Sequence, residues 1–399
     1  MYDTWTEGLE KGKMCGVCLL DMSAAFDTVT HELLIEKLAL LGFKDDILQW
    51  LRSYLSYRRQ CVSINGALSK FLPVTSGVPQ GSVLGPLLYT LFVNELPEVL
   101  NNSSEAKKSA HICCFADDTT LTCQNSDHSE LSRQLTESYT KVSNYMLNNG
   151  LKLNDDKSHL VVMASKGTKR SRSANLVEII TKPKNIRPTQ NEKLLGCYIQ
   201  EDLKWDHYLT EGNENLMKSL NSRVNALTQL SKLAAFRTRK SIGDGIFLSK
   251  LSYLITLWSG CSKELLNSLQ VIQNKAARAI TRNWDISTSE NLKQLGWLSV
   301  YQLGYYHTLL TLHQVKYERQ PQYLSSIFEW DHVYQTRQVD SGYVKPKGVP
   351  KYEVSKRGFR WRAPEYYNRP PNEVINTEDK NVFERSVKVW IMENVPVRV

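Results

Sequence analysis

No apolar run in this chain approaches the ~18 residues that a membrane-spanning helix needs. The first residues show no basic-then-apolar leader with a small-residue cleavage site. Cys15-x-x-Cys18 has the look of half a zinc knuckle, but no second Cys/His pair follows at a suitable spacing. Those two cysteines read instead as alternate faces of a strand. Cys113, Cys114, Cys123 and Cys197 also lie in apolar, strand-like runs, which suits reduced thiols. Internal repeats and low-complexity blocks are absent too. The expectation is a soluble intracellular protein, in the nucleus, the cytoplasm or both, with no membrane partner.

What is present is the composition of an ordinary globular protein, 41% hydrophobic and 23% charged, over 399 residues. That length supports two or three domains, each with its own core. Fifty basic residues against 41 acidic ones give a formal charge of +9. Such a surplus suits a polyanionic partner such as nucleic acid, and it also suits plain solubility.

Residues 13–22 form a continuous apolar run that ends on Asp21, the pattern of a buried strand with a carboxylate at its end. Thr30 is placed to cap a helix over 31–41 that stops at Gly42, and Asp45 and Asp46 open another. Asn65-Gly66, between two β-prone runs, predicts a tight hairpin turn. Residues 75–86, with three glycines and two prolines, precede an apolar helix over 87–96. They read either as a plain loop or as a backbone that lets a nucleotide approach closely.

Phe115-Ala116-Asp117-Asp118 sits between an apolar run and a β-prone one. Two carboxylates side by side at a hairpin tip repel each other, and Asp is disfavoured in strands, so the pair needs a compensating partner. A divalent cation would supply it, with Asp21 as a third carboxylate. Downstream, Asp127 and Glu130 form a capping box for a helix ending at Asn149-Gly150. Lys157 lies in a polar turn before a strand over 159–164 and is either a solvated turn lysine or a reacting group. The basic stretch 166–172 is a loop or a nucleic-acid backbone contact. Helical stripes such as Leu216, Leu220, Val224 and Leu227 read as core. Residues 329–371 read as a loop-rich segment. Within it, 351–362 mixes cations with Phe359 and Trp361, either to stack on single-stranded bases or as a flexible tail.

Taken in order, these parts resemble the reverse transcriptase (RNA-directed DNA polymerase) of non-LTR, LINE-like, jockey-type retrotransposons. Asp21-Met22-Ser23-Ala24-Ala25-Phe26-Asp27-Thr28-Val29 with His31 is similar to the first palm motif, 76–86 to the glycine-rich second, and Phe115-Ala116-Asp117-Asp118 to the third. Residues 151–157 look like the fourth motif. Leu194-Leu195-Gly196, followed by Leu203-Lys204-Trp205 and His207, looks like the primer-grip region. The likeness continues through Leu269-Gln270-x-x-Gln273-Asn274-Lys275-Ala276-x-Arg278 and Phe359-Arg360-x-x-Ala363.

The resemblance implies RNA-templated DNA synthesis on a DNA primer from dNTPs, with two Mg²⁺ ions, or Mn²⁺ in their place. It implies Asp21 and Asp117 as bridging metal ligands, Asp118 as a further ligand, and Lys157 as a proton donor to pyrophosphate. Phe26 is implied as the ring that excludes a 2′-hydroxyl; taken alone, an aromatic after a strand also reads as core. Gln80 and Gly81 are implied beside the incoming nucleotide, and Leu195 and Gly196 in the primer grip.

The implied fold is α+β. It comprises a palm over 1–205 with an antiparallel sheet and helices on one face, a helical thumb and post-thumb region over 206–328, and a basic, aromatic, loop-rich tail with a closing helix over 329–399. Phe115 stands where the family more often has tyrosine. Only 20 residues precede Asp21, so the fingers are expected to be mostly absent and the chain to be an N-terminally truncated fragment, without the endonuclease or the terminal Cys/His knuckle. The alternative reading is a catalytically inactive nucleic-acid-binding remnant of a retroelement. The sequence is silent on oligomeric state.

Overall fold

The fold is that of a computed structural model, which describes residues 1–101, 110–165, 173–182, 184–318, 321–330 and 344–397. The basic stretch 166–172 lies outside the described residues, as does 331–343 of the expected loop-rich segment. The chain divides into two compact units, Lys11–Asp202 with Met1, and Tyr2–Glu10 with Leu203–Val399. The first helix, α1 (Tyr2–Glu10), therefore belongs to the second unit. The architecture is α+β.

The first unit is built on a five-stranded sheet. Its strands are β1 (Met14–Leu20), β2 (Ala110–Phe115), β3 (Asp118–Asn125), β4 (His159–Met163) and β5 (Pro188–Thr189), in the order β2-β3-β1-β4-β5. Strand β1 is central, antiparallel to both neighbours, and buried along nearly its whole length, as its unbroken apolar run predicts. The expected wholly antiparallel sheet is not what forms, because β4 and β5 run parallel, with Leu160 opposite Pro188. The chain between residues 163 and 188 is long enough for the crossover of about a dozen residues that a parallel neighbour requires.

Helices α2 (His31–Leu40), α3 (Asp45–Leu55), α4 (Leu84–Phe92), α5 (Leu96–Asn101) and α6 (His128–Asn148) belong to this unit. The stripe Leu131, Leu135, Tyr139, Val142 and Met146 turns α6 onto β1 and β3. Gly16 allows that approach, since a Cβ there would lie 2.7 Å from Leu135 Cδ1. At the start of α6 the Asp127 carboxylate accepts the Glu130 backbone N–H at 2.8 Å, and Gly150 follows its end at φ +72°. Two expectations are corrected. Thr30 precedes α2 without a side-chain capping bond, and the apolar helix begins at Leu84 and ends at Phe92, not over 87–96. The Lys37 ammonium is buried and donates to Phe92 O (2.9 Å), Glu95 Oε2 (3.0 Å) and Tyr145 OH (3.0 Å), which ties α2 to the end of α4 and to α6.

The second unit is helical. Its longer helices are α7 (Leu216–Leu230), α8 (Lys263–Thr281), α9 (Val300–His313), α10 (Phe359–Tyr367) and α11 (Lys380–Asn394). The apolar stripes of α7 and α8 are buried, as their periodicity predicts. Reading 351–362 as a stacking surface or a free tail is corrected. Phe359 is buried, Arg362 donates to Ser259 Oγ and Thr256 O at 2.6 Å each, and Arg360 pairs with Glu7 at 3.2 Å. Once those cations are bound inside the unit, the segment orders as helix despite Pro364 within it. No helix among the described residues is long and apolar enough to cross a membrane.

Candidate active site

The site begins where β1 ends. Leu20 faces Thr119 of β3, so Asp21 and Asp118, the next residues toward that end, emerge together. Phe115 pairs with Asp118 across a two-residue turn made by Ala116, at φ +52°, and Asp117. Three carboxylates from two segments distant in sequence thus reach one end of the sheet. Asp117 and Asp118 are exposed and Asp21 is half-buried. The Asp118 carboxyl is pushed above the usual carboxylate range by partial loss of solvation, then by the charges of Asp117 and Asp21. No ion pair neutralises any of the three among the described residues.

The backbone of Asp21 is fixed by the fourth motif. Its carbonyl accepts the Asn154 N–H at 2.9 Å, and Ser23 N–H donates to Lys152 O at 3.0 Å. Its own N–H reaches Ser158 Oγ at 3.4 Å, and that hydroxyl donates to Asn154 O at 2.8 Å. Lys157 sits exposed at the end of the adjoining 3-10 turn, Asp155–Lys157. That turn is held by Asp155, which accepts from Tyr139 OH and, at 3.4 Å, from Thr181 Oγ1. The structure therefore ties the Lys157 turn to Asp21 through the backbone, without an ion pair from its ammonium to the three carboxylates.

Phe26 lies half-buried with its ring 4.7 Å from that of Tyr89 on α4, tilted by 38°. Tyr89 itself is fully buried, and its hydroxyl contacts Met22 Sδ at 2.9 Å. Burial first, and then the charge of Asp117, raise the Tyr89 hydroxyl so that it stays protonated. The sequence pattern shows Tyr89 only as one more apolar position of a helix, so its role beneath Phe26 is not readable from spacing.

The glycine-rich second motif is laced to the turn after Phe26. Gly77 N–H donates to Val29 O and Val78 N–H to Phe26 O, both at 2.7 Å, while Ser76 Oγ donates to Asp27 O at 3.0 Å. His31 Nε2 lies 2.8 Å from Gly77 O. Gly77, at φ +90°, is required here, because a Cβ would fall 2.8 Å from the Asp27 backbone. Gln80 and Gly81 are exposed just before α4, and the Gln80 amide donates to Asp27 Oδ1 at 2.8 Å. Asp27 is a member of the first motif to which the sequence reading gave no role. Leu195 and Gly196 form the turn of a separate hairpin, Asn191–Leu194 with Cys197–Gln200, at φ +48° and +77°. That hairpin packs beside β4.

The arrangement gives a strand-end carboxylate, a carboxylate pair on a turn, a half-buried aromatic ring against Tyr89 and a glycine loop held by backbone hydrogen bonds. Residues 4–199 match the family described as reverse transcriptase (RNA-dependent DNA polymerase). These residues belong to the reverse transcriptase family. The curated relatives place the domain among the LINE-like, non-LTR retrotransposon enzymes. The RNA-directed DNA polymerase from mobile element jockey of Drosophila melanogaster is 26% identical over 302 residues, 73% of this chain and 31% of that protein. The probable RNA-directed DNA polymerase from transposon BS of the same species is 28% identical over 281 residues, 69% of this chain and 30% of that protein. The chain thus spans about a third of the length of these relatives. Among solved structures, apo telomerase from Candida tropicalis aligns over 76% of this chain and 49% of its own, at 14% identity and a TM-score of 0.40. Reverse transcriptases as a family use divalent metal ions. Among the described residues of this reverse transcriptase domain, no group of three or more His, Cys, Asp or Glu could hold an ion unaided.

Proposed function

We propose that this chain carries out RNA-templated DNA synthesis, transferring a nucleotide from a dNTP to a DNA primer 3′-hydroxyl. The observation that carries the reading is the placement of Asp21, Asp117 and Asp118 at one sheet end, with a raised Asp118 carboxyl and no ion pair to any of the three among the described residues. Unneutralised carboxylates of this kind fit Mg²⁺, which takes one or two carboxylates and completes its shell with substrate phosphates and water. An all-protein cage is therefore not needed. Asp21 and Asp117 would hold the ions, with Asp118 as a further ligand. When bound, the ions would activate the primer hydroxyl and offset charge on the departing pyrophosphate.

The chain's own residues do the rest in this reading. The Phe26 ring, backed by Tyr89, presses against the sugar and excludes a 2′-hydroxyl. Gln80 and Gly81 meet the incoming nucleotide, Lys157 gives a proton to pyrophosphate, and Leu195 and Gly196 guide the primer. The first unit serves as the palm, 206–328 as the thumb and post-thumb region, and 329–399 as a carboxyl extension.

The test is primer extension on primed poly(rA) with dTTP and Mg²⁺, and Asp117→Asn should abolish it. A wild type as inactive as Asp117→Asn, yet binding primer-template in a salt-sensitive way, would instead mark an inactive nucleic-acid-binding remnant.

A further inference from the structure

Loop 76–80 is already held to the turn after Phe26 by the backbone bonds from Gly77 and Val78, by Ser76 Oγ and by His31. The bond from Gln80 Nε2 to Asp27 Oδ1 adds little to an anchored loop, and it joins two exposed side chains. Its chemistry points elsewhere. An ionised carboxylate only accepts hydrogen bonds, so the Gln80 amide must turn its NH₂ to Asp27. The Gln80 carbonyl oxygen then faces away from that carboxylate. Gln80 is exposed, and the backbone next to it is open too, since a Cβ on Gly81 would meet nothing within 4 Å.

We propose that Asp27 is a positioning residue for nucleotide binding: by holding the Gln80 NH₂, it fixes the Gln80 carbonyl oxygen as an acceptor for a sugar hydroxyl of the incoming nucleotide. This rests on the polymerase reading above, and it assigns to Asp27 a role that acts only through Gln80. A free glutamine side chain would sample both amide orientations and several rotamers. The carboxylate removes that freedom before the nucleotide arrives, which strengthens binding without touching the reacting atoms. Asp27 is suited to this because its backbone is itself immobilised, through Asp27 N–H to Ala24 O at 2.9 Å and the Ser76 bond to its carbonyl.

The experiment is steady-state primer extension by the full chain for the wild type, Asp27→Ala, Gln80→Ala, the double variant and Asp27→Asn, with thermal melts as a folding control. Asp27→Ala and Gln80→Ala should each raise KM for dTTP by about tenfold, the scale of one charge-assisted hydrogen bond, with kcat little changed. The double variant should be no worse than either single one, because one interaction is lost only once. Asp27→Asn should keep most of the affinity, since its Oδ1 still accepts an N–H. Additive losses in the double variant, or an unchanged KM in Asp27→Ala, would overturn the proposal. A wild type that fails to extend primer sinks the polymerase reading rather than this one. The pair is then read directly by NMR, where the Gln80 side-chain amide resonances must move in Asp27→Asn, and unmoved resonances overturn it.

Discussion

Two regions of the molecule treat polar groups in opposite ways. At the end of the sheet in the first unit, Asp21, Asp117 and Asp118 stand together with no ion pair among the described residues, and the Asp118 carboxyl is pushed up by partial loss of solvation and then by its two acidic neighbours. In the second unit Arg239, Gln270 and Gln273 are buried and supplied with partners, although Ser355 Oγ and Arg278 Nε there have none among the described residues. Arg239 donates from Nε to Ile280 O at 2.7 Å and from a terminal nitrogen to Ala234 O at 2.6 Å. Gln270 donates to Gln273 Oε1 at 2.9 Å and Asn274 Oδ1 at 2.7 Å, and accepts Val300 N–H at 2.8 Å. Gln273 donates in turn to Leu298 O at 2.9 Å. Satisfied groups of this kind fix one packing of helices, whereas repelling charges left in place lower stability and point to a ligand. The contrast predicts that substitutions in the first place cost activity and those in the second cost stability.

The largest expected effect is on catalysis. Asp117→Asn should lower primer extension by at least on the order of 10³-fold, about 4 kcal/mol of transition-state stabilisation, with the fold intact by circular dichroism. A loss of activity matched by unfolding would break the comparison. Next comes Arg239→Ala, which strips the last turn of α8 of a donor and leaves buried carbonyls unpaired. It should reduce unfolding free energy by about 2 to 4 kcal/mol in urea titration. A variant as stable as the wild type would show that the second unit is not held together by its satisfied polar groups. Phe26→Val tests whether the half-buried ring serves the substrate or the core. If it gates the sugar, the variant should use ribonucleotides about 10- to 100-fold better relative to dNTPs, while its melting temperature falls by only a few degrees. A drop in stability with unchanged sugar selectivity would make Phe26 a core residue.

These contrasts were unequally legible in the sequence. The central strand ending in Asp21, the Asp117-Asp118 turn and the Asn65-Gly66 turn are local patterns, and each forms as its residues demand, with Asn65 and Gly66 at φ +50° and +86°. The amide-rich run Gln270 to Asn274 was visible as a family likeness, but its reason, a hydrogen-bond lattice reaching Leu298 and Val300, joins residues far apart in the chain. The same holds for Tyr89 beneath Phe26 and for Asn154 and Ser158 around the Asp21 backbone. Helix α10 is not legible in the sequence because a proline, two arginines and two tyrosines read as irregular until Ser259 and Thr256 supply partners for Arg362. Propensity and periodicity report on neighbours within a few residues, and these features depend on contacts that only the folded chain makes.

The smallest expected effect carries the sharpest sign. Because the Asp118 carboxyl is raised in the fold by lost solvation and by Asp117 and Asp21, its ionised form is less favourable folded than unfolded. Its contribution is thus a destabilisation, absent below the unfolded carboxylate range near about pH 4 and growing as the pH rises through the raised value. Asp118→Asn removes it. In metal-free buffer at neutral pH the variant should melt about 1 to 3 °C above the wild type, and the gap should close as the pH falls into the carboxylate range. Adding Mg²⁺ should also close it, by stabilising the wild type more than the variant. A gap that persisted in acid would assign the effect to packing, and one untouched by Mg²⁺ would mean that the cation does not bind where the carboxylates repel.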